Sequence, residues 1–392
     1  MHVVAVVPAQ IVSAFQTAFD TPAVPAIYRA PGRVNLIGEH TDYNLGYVLP
    51  IALEMSCYAA VAANGRDDLR IFSQDFNKGF AIPVDSIENA ERTGEWHDYV
   101  IGVARELARL EVPLSGADLF VQSEVPVGSG LSSSASLEMS SACALLGHRS
   151  LKPLELALLG QRAETQFVGV PTGIMDQYAS VFGRQHAAIR IDCRSLEHEY
   201  VSLPSGVSVL AVNSMVKHQL GSSAYRERVN ECRAAVEALR KTDPAVQSLR
   251  DATFDFFTRV QESVPPIPRQ RARHVITENE RVLEFAQAAC IGDLEKMGRL
   301  FVASHRSMQY DYEISCGEID FLVDTALKIP GVYGARMTGG GFGGCTVNLV
   351  QRGREDEFRS EIRELYHSKY GITPAFYDCE PANGAGIYSP AA

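Results

Sequence analysis

Residues 128–135 read Gly-Ser-Gly-Leu-Ser-Ser-Ser-Ala, and the small and apolar residues from 134 to 146 carry the spacing of a helix. Glycines at 128 and 130 allow a tight backbone path. A helix start leaves its first N–H groups without acceptors and gathers partial positive charge, so such a turn can cradle a phosphate. Ser132, Ser133 and Ser134 add hydroxyls that can donate to phosphate oxygens or serve a magnesium ion. A strand candidate at 119–123 precedes the turn, which places the cradle at a strand-to-helix passage. Taken alone, the same residues are also a serine-rich helix cap.

Nucleotide chemistry is therefore the first expectation, yet two common architectures are missing. The chain has no GxxxxGK[ST] loop and no HRDxxxxN followed by DFG. Two other segments stand out. Residues 29–43, RAPGRVNLIGEHTDY, crowd Arg33, Glu39, His40 and Asp42 into a glycine-punctuated stretch. Carboxylates accept hydroxyl protons while guanidinium and imidazole donate, a set suited to a polyol. Residues 338–344, TGGGFGG, lie between 332–337 and a strand candidate at 346–350. A turn so nearly free of side chains permits close approach of another loop or of a ligand.

The 29–43 stretch resembles the signature of the galactokinase family. Together with 128–135 and 338–344 it is similar to the three motifs of the GHMP kinases, the superfamily of galactokinase, homoserine kinase, mevalonate kinase and phosphomevalonate kinase. Four further segments follow the family's order: WHDYVIGV at 96–103, GIMDQ at 173–177, VNSMVKHQLGSSAY at 212–225 and SHRSMQYDYEISCGEIDF at 304–321. The resemblance thus covers nearly the full chain. It implies an α+β, two-domain GHMP kinase fold: an N-terminal domain like ribosomal protein S5 domain 2 over 1–195, a C-terminal ferredoxin-like α+β domain over 196–392, and an active site in the cleft. It also implies transfer of the γ-phosphoryl of ATP to the anomeric hydroxyl of α-D-galactose, with magnesium as the metal. A kinase of the same mechanism acting on N-acetylgalactosamine, arabinose or a uronic acid is the alternative, followed by a non-catalytic galactose and ATP sensor. Intact Ser134-Ala135 speaks against the sensor, and Thr172 with Ile174 against the glycine-richer segment of N-acetylgalactosamine kinases.

Carried over residue by residue, the resemblance makes Asp176 the catalytic carboxylate and Arg33 its partner beside the reacting hydroxyl. A hydroxyl attacking ATP needs an acceptor for its proton and a cation near the developing charge, which this pair supplies. Whether Asp176 removes the proton or orients the hydroxyl stays open at this level. Arg33, Glu39, His40, Asp42, Gly173, Asp176 and Tyr225 match the sugar contacts. Gly128, Ser129, Gly130, Leu131, Ser132, Ser133, Ser134 and Ala135 match the phosphate-binding loop, and Ser132 with Glu164 the magnesium ligands. Trp96, the single tryptophan, is an adenine-pocket residue or an anchor for the helix it precedes; 73–76 is a second candidate for the rim of that pocket. Two positions depart from the family pattern, Leu45 beside the sugar signature and Thr172 before GIMDQ.

Composition sets the frame. The net charge of −11 disfavours nucleic acid or an anionic membrane as partner, and 392 residues at 46% hydrophobic content can form more than one core. Eight cysteines show no CxxC pair and no metal-ligand rhythm, which favours reduced thiols. The start, MHVVAVVPAQIV, lacks the basic residues of a signal peptide, and no charge-free run reaches membrane-spanning length. A cytoplasmic, monomeric enzyme is expected.

Periodicity places strands at 27–29, 48–62, 69–72, 119–123, 207–212, 334–336 and 346–350. Helices are expected at 99–110, 134–146, 154–167, 225–239, 277–289, 291–304 and 318–327. The proline-rich piece 264–268 reads as a surface loop.

Overall fold

Two β-sheets with helices laid against them organise the chain, whose computed structural model describes residues 8–217 and 221–388. Residues 1–7, the first part of the apolar start, and 218–220, inside the 212–225 segment, lie outside the described residues. The larger sheet has six strands in the order Gly386–Ile387, Ala26–Asn35, Pro50–Ala63, Ala117–Ser123, Asp68–Ser73 and Lys78–Pro83. Only the pairing of Asp68–Ser73 with Ala117–Ser123 is parallel. A small sheet of Tyr47–Val48, Ala187–Asp192 and Glu197–Ser202 adjoins it. The second half is built on four antiparallel strands in the order Val332–Thr338, Gly343–Gln351, Val207–Lys217 and Ala375–Asp378. This is an α+β architecture in two halves, as the sequence resemblance implies.

The run at 207–212 is apolar except at Ser208 because both faces of its strand are covered. Val209 and Ala211 point into a core with Phe285, Met297 and Phe301, while Leu210 and Val212 meet Leu322, Phe358 and Tyr366 on the other side. The first of these cores also takes in Val34, Leu36, Ile37, Leu49 and Ile51 from the amino-terminal half. The halves therefore share their largest core.

Three expectations change on inspection. The strand expected at 27–29 runs on to Asn35, with a register shift between Pro31 and Arg33 that accommodates the proline. Residues 264–268 are not a loop: Pro266 sits in the first turn of a 26-residue helix, Pro266–Ile291, where its missing N–H costs nothing. The helix expected at 154–167 is regular only over Pro153–Arg162 and then widens into a π-helical turn, Ala163–Val168. Helices Pro8–Phe19 and Glu355–Tyr370 complete the packing. Ile11 and Phe15 of the former bury against Tyr58 and Phe120.

The sheet edge of the second half reaches across to the first through Arg336 and Thr338, the latter donating from Oγ1 to the Asn35 carbonyl at 3.0 Å. Arg336, fully buried, donates from Nη1 to the carbonyls of Asn35 (3.1 Å) and Leu36 (2.6 Å), and its Nη2 lies 3.5 Å from Glu39 Oε1. Arg336→Met is expected to destabilise the fold by about 3–5 kcal/mol, since it removes the buried cation beside the Glu39 carboxyl and leaves the Leu36 carbonyl without its donor. Urea unfolding checks this; a loss under about 1 kcal/mol, the weight of one ordinary hydrogen bond, would show that the contact does not hold the halves together.

Candidate active site

Bond by bond, the site grows from the place where the first strand leaves its sheet partner. Beyond the register shift the Arg33 N–H donates to the Leu131 carbonyl at 3.0 Å, so strand and phosphate-loop candidate run side by side. The Arg33 side chain then donates through Nη1 to the Gly130 carbonyl at 2.5 Å. Its Nε and Nη2 converge on Asp176 Oδ1 at 2.9 and 2.8 Å. Ser132 Oγ donates to the other oxygen, Oδ2, at 2.5 Å. Asp176 stands in the first turn of the helix Met175–Phe182, where the helix dipole favours an anion.

The loop itself turns through left-handed conformations at Gly128 (φ 74°), Gly130 (φ 82°) and Ser132 (φ 61°) before the helix Ser133–Leu146 begins. Ser133, Ser134 and Ala135 form the first turn, whose N–H groups have no intrahelical acceptor. Further along this helix the buried Ser136 and Ser140 return their hydroxyl protons to carbonyls three residues back, while the buried Ser141 hydroxyl has no partner. The glycine-rich 338–344 turn finds its reason here. A Cβ on Gly339 would come within 3.1 Å of the Gly130 backbone, so the two loops meet main chain to main chain.

Arg33, Glu39, His40, Asp42, Glu164, Asp176 and Tyr225 all line one cavity of about 190 Å³, with Val170, Thr172, Met175, Gly339 and Gly340. Gly173 is not in that lining but stands against Asp42: a Cβ there would fall 1.9 Å from Asp42 Oδ2, so only glycine lets that carboxylate approach. A second cleft of about 520 Å³ opens alongside, and Thr172 lies on the wall of both. Trp96 stands apart from the sugar-sized cavity. It stacks on Phe76 at 5.9 Å with a 15° tilt, which joins it to the 73–76 segment singled out in the sequence.

Several groups that position the site have no motif around them. The loop after the first strand is gripped from the Pro266–Ile291 helix: Glu278 Oε1 accepts the Gly38 N–H (2.9 Å), Asn279 Oδ1 the Tyr47 N–H (2.8 Å), and His274 Nε2 pairs with the Glu39 carbonyl (3.1 Å). Glu39 Oε1 in turn accepts from Thr338 Oγ1 (3.1 Å) and the Gly339 N–H (3.0 Å). His274 and Glu278, four apart, share a helix face, a spacing visible in the sequence, and Asn279 flanks it. Gln177, next to Asp176, donates to Glu164 (2.7 Å) and to Glu138 (2.9 Å), a fully buried carboxyl of the phosphate-loop helix.

Burial dominates the electrostatics. It lifts the Asp42 carboxyl to about 7, helped by the like charge of Asp176, and the Glu164 carboxyl to about 7 for the same two reasons. Glu39 is also raised by burial, against the pull of Arg336 and Arg33. Burial pushes His40 down to about 3, with His274 adding to the effect, so its ring is neutral at physiological pH. Among the described residues no three His, Cys, Asp or Glu side chains form a metal-holding group, and no helix is long and apolar enough to cross a membrane.

This fold and site define a small-molecule kinase of the GHMP class, and comparison with known proteins gives the same answer. The galactokinase galactose-binding signature matches residues 13–63, and the GHMP kinase N-terminal and C-terminal domains match 98–184 and 285–368. A galactokinase of Roseiflexus sp. is 45% identical over 364 residues, 92% of either chain, and one of Chloroflexus aggregans is 45% identical over 96% of either. The crystal structure of Lactococcus lactis galactokinase complexed with galactose matches with a TM-score of 0.93 at 33% identity, over 97% of this chain and 99% of that one. A mevalonate kinase at 20% identity and TM-score 0.64 shares the fold. The chain belongs to the galactokinase family.

The raised Asp42 carboxyl makes a prediction with a definite sign. A carboxyl whose folded value lies above its unfolded one adds stability below about pH 4 and loses it as pH rises through about 7. At about 1.4 kcal/mol per pH unit of displacement, the ligand-free protein should lose on the order of 3–4 kcal/mol from this group between pH 4 and pH 8. Asp42→Asn, which cannot ionise, should be more stable than wild type at pH 8 and lose most of that advantage by pH 4. Thermal unfolding across that range checks it, and parallel curves for the two proteins would refute the burial of an ionisable Asp42.

Proposed function

We propose that the protein is a galactokinase, transferring the γ-phosphoryl group of ATP to the anomeric hydroxyl of α-D-galactose to give α-D-galactose 1-phosphate and ADP. The observation that carries this reading is the Asp176 carboxylate, fixed by Arg33 and Ser132 at the junction of the sugar-sized cavity and the phosphate-loop turn. In this reading galactose occupies the cavity. Glu39 and Asp42 accept from its hydroxyls, His40 and Tyr225 bound the ring, and Gly173 clears space for Asp42. Asp176 accepts or orients the proton of the anomeric hydroxyl as that oxygen attacks phosphorus. Arg33, already bonded to Asp176, lies where negative charge develops. The left-handed turn Gly128 to Ser132, with the N–H groups of Ser133 to Ala135, holds the phosphates. Trp96 on Phe76 offers an aromatic face to adenine.

Magnesium belongs to the same reading. Glu164 is a buried carboxyl beside Asp176 and the Ser134 hydroxyl. A buried oxygen of the neighbouring Glu138, Oε1, has no partner. So much unneutralised oxygen suits a hard cation, and Glu164 with the Ser132 hydroxyl would hold it while phosphates and water complete its shell. When bound, it supplies charge neutralisation at the phosphates. The chain's own part is to keep Glu164 turned inward, which the π-helical turn at Ala163–Val168 does.

The division into 1–195 and 196–392 is proposed at the scale of the two halves. The hairpin Ala187–Asp192 and Glu197–Ser202 spans the boundary, and Gly386–Ile387 returns to the first half's sheet. A monomer is proposed as the working state. Eight free cysteines support a cytoplasmic setting.

A coupled ADP assay over a panel of monosaccharides tests the function. D-galactose should be the preferred acceptor with magnesium and ATP; robust turnover of another sugar and none of galactose would leave the fold standing and remove the substrate assignment. Asp176→Asn tests the chemistry. Turnover should fall about 100- to 10,000-fold, while galactose affinity by calorimetry changes less than about tenfold, one hydrogen bond's worth. Near-normal turnover would take the catalytic role away from Asp176.

A further inference from the structure

Beside Asp176 one buried amide joins three elements of the site. Gln177, in the first turn of the helix Met175–Phe182, spends both protons of its Nε2 on carboxyls. One goes to Glu164 Oε2 at 2.7 Å, in the π-helical turn Ala163–Val168. The other goes to Glu138 Oε2 at 2.9 Å, in the helix Ser133–Leu146 that follows the phosphate-loop turn. Gln177 and Glu138 are wholly out of solvent and Glu164 nearly so. The neighbouring helix makes room for this side chain. A Cβ on Gly160 would fall 3.0 Å from Gln177 Cγ and 2.2 Å from Met139 Cε, so the missing side chain leaves the space the glutamine stem fills.

We propose that Gln177 is a positioning residue for the metal: its amide holds the Glu164 carboxylate in the orientation that leaves Oε1 to a divalent cation at the nucleotide's phosphates. The proposal rests on Glu164 being a magnesium ligand in the nucleotide complex.

An amide suits this task better than a cation does. Among the described residues no arginine, lysine or histidine forms an ion pair with Glu164 or Glu138, and the donor they share is the neutral Gln177. A guanidinium or ammonium in its place would orient the carboxylate and also neutralise it, leaving little for a metal to gain. A neutral donor orients the ligand and leaves its charge for the metal. A glutamate left loose would have to be ordered by the cation itself, at a cost in affinity. The direction of the amide follows from the role. A metal-binding carboxylate carries no proton and can only accept, so the nitrogen of Gln177, not its oxygen, must face Glu164.

The second bond ties that orientation to the phosphates. Glu138 belongs to the helix whose first N–H groups are free for phosphate, so one side chain sets the carboxylate of the metal against the cradle. Asp176, one residue away, is anchored separately by Arg33 and Ser132. Loss of the amide therefore reaches the metal and leaves the sugar side in place.

Manganese, followed by the electron paramagnetic resonance of the free ion, is the probe, titrated into the full-length protein with ADP. Glu164→Gln establishes the ligand first and should weaken manganese binding. In Gln177→Met, which keeps length and bulk without a donor, manganese affinity should fall about 10- to 100-fold, the usual weight of a group that orients a metal ligand. Galactose affinity by calorimetry, and ADP affinity without metal, should stay within about threefold, less than the weight of a typical hydrogen bond. In turnover the magnesium concentration for half-maximal rate should rise by the same factor as the manganese affinity falls, while the rate at saturating magnesium recovers. General loosening of the core does not give that split. On a Glu164→Gln background the Met substitution should add nothing, since its effect passes through Glu164. Gln177→Asn, which keeps the amide but draws it back by one methylene, should show the same loss and takes the place of the Met variant if that one does not fold. Unaltered manganese affinity in the Gln177 variants overturns the proposal, as does an equal loss of galactose, ADP and manganese affinity. Undiminished manganese affinity in Glu164→Gln removes the metal from Glu164 and the proposal with it, a failure told apart from the first because it arises with Gln177 intact.

Discussion

The side chains that seize the loop between residues 35 and 47 are the constraint on which the site depends. That loop leaves the amino-terminal half and is held almost wholly by the other half: Arg336 on the Asn35 and Leu36 carbonyls, Glu278 on the Gly38 N–H, His274 on the Glu39 carbonyl and Asn279 on the Tyr47 N–H. These are buried polar contacts, so losing one leaves its partner unsatisfied. Three of the cavity's polar side chains, Glu39, His40 and Asp42, ride on this loop. Their positions are set by residues more than two hundred positions away in the chain.

A second physical theme is the gathering of acids. Asp42, Asp176, Glu39 and Glu164 border one small cavity, and burial works against ionising three of them. In the absence of ligands this is an unfavourable arrangement that the surrounding fold has to sustain. It is also what a polyhydroxylated substrate and a cation would relieve, since each hydroxyl proton or positive charge finds an oxygen already desolvated. Site chemistry and local instability are two aspects of the same placement.

Much of this was legible in the sequence where local chemistry decides the outcome. The glycines and serines of 128–135 mark a tight turn into a helix, and the mostly apolar run at 207–212 marks a strand. Legibility failed where a distant partner decides. Pro266 looks like a helix breaker until its place in the first turn is known. Glu164 fits a regular helical spacing, and only the widened turn reveals that it faces inward. His274, Glu278 and Arg336 are unremarkable polar residues on a helix and a strand; their task comes from a loop that folds against them. The helix Glu355–Tyr370 shows a narrow apolar stripe, Phe358, Ile362 and Tyr366, in a sea of charge, too thin to stand out.

The short strand Gly386–Ile387 closes the edge of the first strand through the pairs Tyr28 with Ile387 and Arg29 with Gly386. Leu53 likewise bridges Pro381, and the Ala382 N–H donates to the Ala52 carbonyl. During synthesis the amino-terminal sheet therefore emerges with an open edge, and the segment that caps it is made after the other strands of both sheets. Contacts spanning so much chain form late and slowly. Until residue 387 leaves the ribosome, that edge is a surface on which a nascent chain can pair wrongly, and the tail acts as the latch that ends the exposure.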